Sequence, residues 1–248
     1  MQPLFTPLPR PRADRTLVCL SFCGGGVSVF RAWAEALPAE VELVLYCYPG
    51  REGRFTTPFA ADWDALLAEA TTAVRALAPR PFTLFGHSMG AWVAFDLAHR
   101  LERGAGPAPE ALVVSAADAP SEAGAEPDGT PDPRDTDAEL VDWMRAVGQV
   151  PAEVLDEPYL RQMAADVFRA DLRVVDSYRW RPGTAVSVPL QVLYGERDAV
   201  DAAAAERWRP LTTGPFEVRR LPGGHFYTPE VWSRLPEVLT APHPARRG

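Results

Sequence analysis

Short apolar runs rich in strand-forming residues recur along this chain, separated by longer stretches of helical period. Residues 16–22 (TLVCLSF), 41–47, 81–86 (PFTLFG), Ala111–Ser115, 188–194 (VPLQVLY) and Phe216–Leu221 each read as a strand. Continuous rather than alternating apolar character predicts strands covered on both faces. Between them, Phe59, Trp63, Leu66, Leu67, Ala70, Val74 and Leu77 repeat at helical spacing, as an amphipathic helix requires. Further helices are predicted from Val29, from Met89 past Phe95 to a stop near Arg103-Gly104, near 202–208 and from about Pro229. Strands alternating with helices imply an α/β fold, a mostly parallel sheet with helices on both faces.

The alternation breaks once. Residues 119–135 are rich in Ala, Pro, Gly and acid and read as a mobile loop. Two helical stripes follow without a strand, Leu140/Trp143/Met144/Val147 and Leu160/Met163/Ala164/Val167/Phe168/Leu172/Val175. We read residues 119–182 as a helical lid inserted over the active-site end of a single domain spanning 1–248, the alternative being helices packed on the sheet's flank. Residues 1–15 read as an irregular lead-in and 241–248 as a frayed tail, and no internal repeat is evident.

The third strand and its helix are joined by Gly86-His87-Ser88-Met89-Gly90, a G-x-S-x-G match in its required strand-turn-helix context. Such an elbow exposes the serine hydroxyl at a helix N-terminus and aims the next backbone N–H, here of Met89, at a developing oxyanion. A serine nucleophile needs a base, and the base an orienting acid. Of four histidines, His87 lies inside the elbow, His99 far along its helix and His243 in the tail. His225, after Pro-Gly-Gly at the end of a strand, is the remaining candidate base, in the chain order Ser…Asp…His. Asp198, in the loop Gly195-Glu-Arg-Asp198, is favoured as the acid over Asp118, and Asp201 reads more readily as a helix N-cap. The second oxyanion donor is expected from Cys23-Gly-Gly-Gly26, at Gly24, with Cys23 and Gly25 as alternatives. That loop matches neither phosphate-binding glycine pattern.

Composition narrows the class. In 248 residues, 47% are hydrophobic, enough for one sizeable core. A net charge of −8 argues against nucleic-acid binding. All 25 basic residues are arginine, which we read as codon bias rather than function. Three dispersed cysteines and four scattered histidines suggest neither a disulfide framework nor a metal site, and no cofactor is expected. The proline-broken N-terminus lacks a signal-peptide core, and no stretch suits a membrane span, so a cytoplasmic protein is expected.

Five blocks together resemble the type II, editing thioesterases of polyketide and nonribosomal peptide biosynthesis, members of the α/β-hydrolase superfamily. They are the glycine loop 22–26, the loop Tyr48-Pro-Gly-Arg-Glu-Gly-Arg-Phe55, the elbow, Gly-Gly-His225, and the segment RADLRVVDSYRW at 169–180. The Pro-Gly-Arg-Glu loop and the last segment are more specific than the elbow, and the likeness covers nearly the whole chain. It implies Ser88, Asp198 and His225 as a triad, with the Met89 and Gly24 N–H groups as oxyanion donors. In the glycine loop the family usually has a histidine and an alanine where this chain has Cys23 and Gly24. The implied substrate is an acyl thioester on the phosphopantetheine arm of an acyl or peptidyl carrier protein, and the implied enzyme a free-standing, monomeric editor. Product release, a general carboxylesterase activity and a non-catalytic carrier-binding module are the competing readings. Arg51, Arg54 and Arg179 are candidate contacts for an acidic carrier.

Overall fold

A computed structural model describes residues 2–77, 80–123 and 131–239. Its seven-stranded sheet has the order β1-β3-β2-β4-β5-β6-β7. The strands are β1 (Leu4–Phe5), β2 (Arg15–Leu20), β3 (Val41–Tyr46), β4 (Phe82–His87), β5 (Ala111–Ser115), β6 (Leu190–Gly195) and β7 (Phe216–Leu221). All pairings are parallel except β1 with β3. The six predicted strands form. β1 corrects the reading of 1–15 as irregular: two residues pair antiparallel with Leu45 and Tyr46 at the sheet edge, too short a run among prolines to leave a period.

Both faces of the sheet are buried, and the side chains alternate between them as a strand's period of two demands. Val18, Leu20, Val44, Leu84, Leu112 and Val114 join one core with α2 (Trp63–Arg75) and α3 (Met89–Glu102). Leu17, Cys19, Leu43, Leu45, Phe85 and Val113 join the other with α1 (Trp33–Ala36) and α8 (Pro229–Leu239). The helix predicted from Val29 is shorter than expected, a 3₁₀ turn at Val27–Phe30 followed by the one turn of α1.

Between β5 and β6 the chain inserts α4 (Asp137–Ala146), α5 (Ala152–Asp156) and α6 (Pro158–Asp176). A Thr136/Glu139 capping box starts α4; a Glu157 cap with Pro158 at the first position starts α6. The three helices share their own core of Leu140, Met144, Leu155, Ala165, Phe168 and Leu172, against which Cys23 of the glycine loop packs. The insertion therefore meets the loop after β2. Residues 124–130 of the expected mobile loop, and the expected tail with His243, lie outside the described residues.

Candidate active site

The elbow has the strain its motif demands. Ser88 stands between β4 and α3 at φ 55°, ψ −123°, a conformation that L-residues avoid. A Cβ on Gly86 would lie 1.9 Å from the Gly90 carbonyl oxygen, and one on Gly90 2.3 Å from that of Leu20. Strain at such a residue costs about 1–3 kcal/mol. Burial of Leu84 and Phe85 just before it contributes about 1.5–3 kcal/mol each, so the core offsets the strain. The Ser88 N–H donates to the Ser115 carbonyl at 2.8 Å, stitching the turn to β5. Ser88 holds the N-cap position of α3 without making a side-chain cap bond. Met89 opens that helix, so its N–H has no acceptor within it.

Next to the elbow, His225 Nδ1 lies 3.2 Å and 3.3 Å from the two carboxylate oxygens of Asp198. Asp198's carboxylate is 3% exposed and the imidazole 24%. The loops carrying them run side by side: Glu196 N–H donates to Leu221 and Arg197 N–H to Gly223, both at 2.9 Å. Gly195 permits the approach, since a Cβ there would sit 2.2 Å from the Gly224 carbonyl oxygen. Asp118 is elsewhere, its carboxylate accepting from Arg207 at 2.8 Å, and Asp201 caps α7 (Ala202–Glu206). His99 is tied through Nδ1 to the Ala185 carbonyl.

His87 is fully buried beneath the site, with Nδ1 3.0 Å from Ser115 Oγ, which in turn lies 2.6 Å from the Tyr227 hydroxyl. Its ring centroid is 5.3 Å from that of His225. Burial, and secondarily the charge His225 can carry, hold its pKa well below the ordinary histidine value. His87 is a neutral packing residue.

The glycine loop corrects one expectation. The Gly24 N–H, chosen as the second oxyanion donor, already donates to Asp171 Oδ2 of α6 at 2.7 Å. The Gly25 N–H donates to the Phe22 carbonyl at 2.9 Å. The carbonyl of Cys23 accepts from Gln149 Nε2 at 2.7 Å. Gly24 is at φ +77°, and a Cβ there would meet Gln149 at 2.6 Å.

The arginines proposed for docking are also reassigned. Arg51 and Arg54 are each 5% exposed, paired with Asp171 and Glu69 respectively. Both read as surface residues from sequence because a charged residue in a loop usually is one. Arg179 is exposed, but its guanidinium turns back onto the carbonyls of Asp176 and Tyr178. Asp171 was missed altogether. Its signal was a charge on an apolar helix stripe, three residues after Phe168 and one before Leu172. Among the described residues no cluster of His, Cys, Asp or Glu is arranged to hold a metal ion, and no helix is long and apolar enough to cross a membrane.

Comparison with known proteins places this architecture. A family model described as thioesterase domain matches residues 15–245. The chain is 38% identical over 216 residues to the AMB antimetabolite synthetase AmbE of Pseudomonas aeruginosa, covering 84% of this chain and 10% of that protein. It is 37% identical over 233 residues to a probable cadicidin biosynthesis thioesterase of Streptomyces griseus, covering 93% of this chain and 63% of that protein. The chain thus spans a tenth of the first relative and under two thirds of the second. Among solved structures, the type II thioesterase BorB from the borrelidin biosynthetic cluster superposes with a TM-score of 0.84 at 33% identity, over 95% of each chain. With this sheet, this elbow and a family match across nearly its whole length, the chain belongs to the thioesterase-domain family and has the α/β-hydrolase fold.

Proposed function

We propose that this protein is a type II thioesterase that hydrolyses acyl thioesters from the phosphopantetheine arm of acyl or peptidyl carrier proteins, clearing aberrant acyl groups in polyketide or nonribosomal peptide synthesis. The observation that carries the reading is that the strained Ser88, at the end of β4, and His225, whose Nδ1 pairs with the buried Asp198 carboxylate, lie at the same end of the parallel sheet, with the His225 ring 5.3 Å from that of His87 in the elbow. Ser88 is the nucleophile, His225 the general base and acid, and Asp198 the group that orients the imidazole through Nδ1–H. His225 Nε2 takes the hydroxyl proton as Ser88 Oγ attacks the thioester carbonyl. The tetrahedral oxyanion collapses, the C–S bond breaks, and the thiolate takes the proton from His225. Water, deprotonated by the same imidazole, then attacks the acyl-serine ester and releases the carboxylic acid.

Two backbone donors serve the oxyanion. Met89 N–H is one, supported by its place at the start of α3. We assign the other to the glycine loop Cys23-Gly-Gly-Gly26, as its place after the first long strand suggests. The Gly24 and Gly25 amides are directed at Asp171 and Phe22, and the Cys23–Gly24 peptide is held at both its carbonyl and its N–H. The helices α4–α6 act as the lid, a role supported by their contacts with this loop.

The similarity to BorB along 95% of each chain favours editing over product release. The test is turnover of carrier-bound acyl thioesters. We expect Ser88→Ala to abolish hydrolysis of acetyl-, propionyl- and butyryl-carrier substrates; undiminished turnover would rule the mechanism out. Selective release of one mature chain, with short acyl groups left untouched, would instead make the protein a product-releasing enzyme.

A further inference from the structure

His225 reaches the elbow from across the sheet. β7, the strand that precedes it, stands three places from β4 in the order β4-β5-β6-β7, about 14 Å at the usual strand spacing. The turn at residues 222–228 closes that distance, since the rings of His225 and His87 stand 5.3 Å apart. Two main-chain bonds fold the turn on itself, from Tyr227 N–H to the Gly224 carbonyl at 3.0 Å and from Thr228 N–H to that of Pro222 at 3.1 Å. A third, from Arg197 N–H to the Gly223 carbonyl, ties it to the Asp198 loop. Among the described residues, no main-chain hydrogen bond joins the turn to β4, β5 or the elbow.

Side chains add the missing link. The Tyr227 hydroxyl, two residues beyond His225, lies 2.6 Å from Ser115 Oγ at the end of β5. Ser115 meets the elbow twice: its Oγ stands 3.0 Å from His87 Nδ1, and its carbonyl accepts the Ser88 N–H at 2.8 Å. One residue thus touches both the Ser88 peptide and the segment that carries His225. Ser115 is fully buried, and Tyr227 packs in the core on the α1 and α8 face of the sheet. Burial pushes the Tyr227 phenol pKa up, so the hydroxyl keeps its proton. Tyr227 also sits at φ 59°, in the left-handed region that bulky residues avoid. Such a conformation persists only where its surroundings hold it. The turn is tight at the same point, for a Cβ on Gly223 would lie 2.3 Å from the Tyr227 carbonyl carbon.

A buried pair of hydroxyls is a weak source of stability, because an apolar pair of the same shape does nearly as well. Its distinctive property is direction: a hydrogen bond fixes a distance and an angle within narrow limits. A general base works only when its nitrogen stands within hydrogen-bond reach of the proton it takes. We propose that Tyr227 and Ser115 are positioning residues for catalysis, a strut between β5 and the His225 turn that sets the imidazole against Ser88. Asp198 orients the ring, and the strut places the loop that carries it. This inference rests on the hydrolase reading above.

The deciding variant is Tyr227→Phe, which removes one hydroxyl, keeps the ring in the core and leaves Ser115 paired with His87. Its melting temperature is read beside steady-state kinetics on a short acyl thioester. A misplacement of about 1 Å can cost on the order of a hundred-fold in rate, and the loss of one tie should cost less. We therefore expect kcat to fall roughly five- to thirty-fold with KM nearly unchanged. Ser115→Ala, which cuts both of its ties, should fall at least as far, and adding Tyr227→Phe to it should cost nothing more. A cycle with His225→Ala separates positioning from a merely structural role. In that background the base is gone, so Tyr227→Phe should change the residual rate by less than about two-fold. A Tyr227→Phe protein with parental kcat overturns the strut, as does one that loses the same factor with and without His225. If Tyr227→Phe does not fold, Ser115→Ala decides by the same cycle. A parent protein without thioester hydrolysis, or a His225→Ala protein with parental kcat, overturns the underlying reading instead, so the two failures are distinct.

Discussion

The two sides of this site are built by different means. On the nucleophile side, the elbow and the Asp198 and His225 loops are set by the backbone: Gly86, Gly90 and Gly195 allow chains to touch, and main-chain hydrogen bonds between loop ends hold them there. On the side we propose for the oxyanion, the loop after β2 has little backbone pairing of that kind, and side chains from Tyr48, Arg51, Glu52, Gln149 and Asp171 fasten it. A site can therefore be rigid for two reasons. The first kind fails when a glycine gains a methyl group, the second when a distant charge is lost.

The largest effect should come from the acid. If the Asp198–His225 pair orients the base, Asp198→Asn should lower kcat on the order of 10⁴-fold, as losing the correct imidazole tautomer does in a triad. Asp118→Asn should leave kcat within about two-fold, because its partner is the half-exposed Arg207 and exposed pairs contribute little. Reversal of that order would remove Asp198 from the nucleophile side and undo the contrast between the two sides.

That contrast also explains what the sequence disclosed. Six strands could be read because a strand buried on both faces must be continuously apolar, and the turn at Ser88 because its flanking glycines announce it. β1 escaped because two residues carry no period. Asp198 was favoured over Asp118 although both follow a strand end, and its pairing with His225, where Asp118 pairs with Arg207, depends on loops the local pattern does not describe. The oxyanion side was largely illegible. The acceptor for Gly24 lies 147 residues away, and nothing in the local pattern marks Arg51 as buried rather than solvated. A charge on the apolar stripe of α6 was the one available clue.

Glycine substitutions should separate the two modes of construction at intermediate cost. Gly86→Ala forces a methyl group to within 1.9 Å of a backbone oxygen that cannot yield, so we expect a loss on the order of 3–4 kcal/mol in unfolding free energy. Gly24→Ala meets φ +77° and the flexible end of Gln149, and should cost about 1–3 kcal/mol. Denaturant unfolding compared with kcat would show the distinction: the first variant loses its fold before its chemistry, and the second its chemistry before its fold.

The smallest effect concerns pH. His87 lies on the nucleophile side with Ser115, Tyr227, His225, Phe22, Phe226 and Trp232 around it, and burial keeps it neutral in the folded protein. Because its folded pKa is depressed below the unfolded value of 6.5, only the unfolded chain takes up a proton as pH falls past 6.5. The stability associated with a neutral His87 is therefore fully present above that value and is lost as pH drops towards the folded pKa. Between pH 7.5 and 5.5 one such site accounts for on the order of 1 kcal/mol. His87→Gln, which can keep a hydrogen bond to Ser115 but does not titrate, should reduce the difference in unfolding free energy between those two pH values by that amount. An unchanged difference would mean that the acid sensitivity of this protein comes from other groups, and that the buried imidazole under Ser88 stays out of the proton balance of folding.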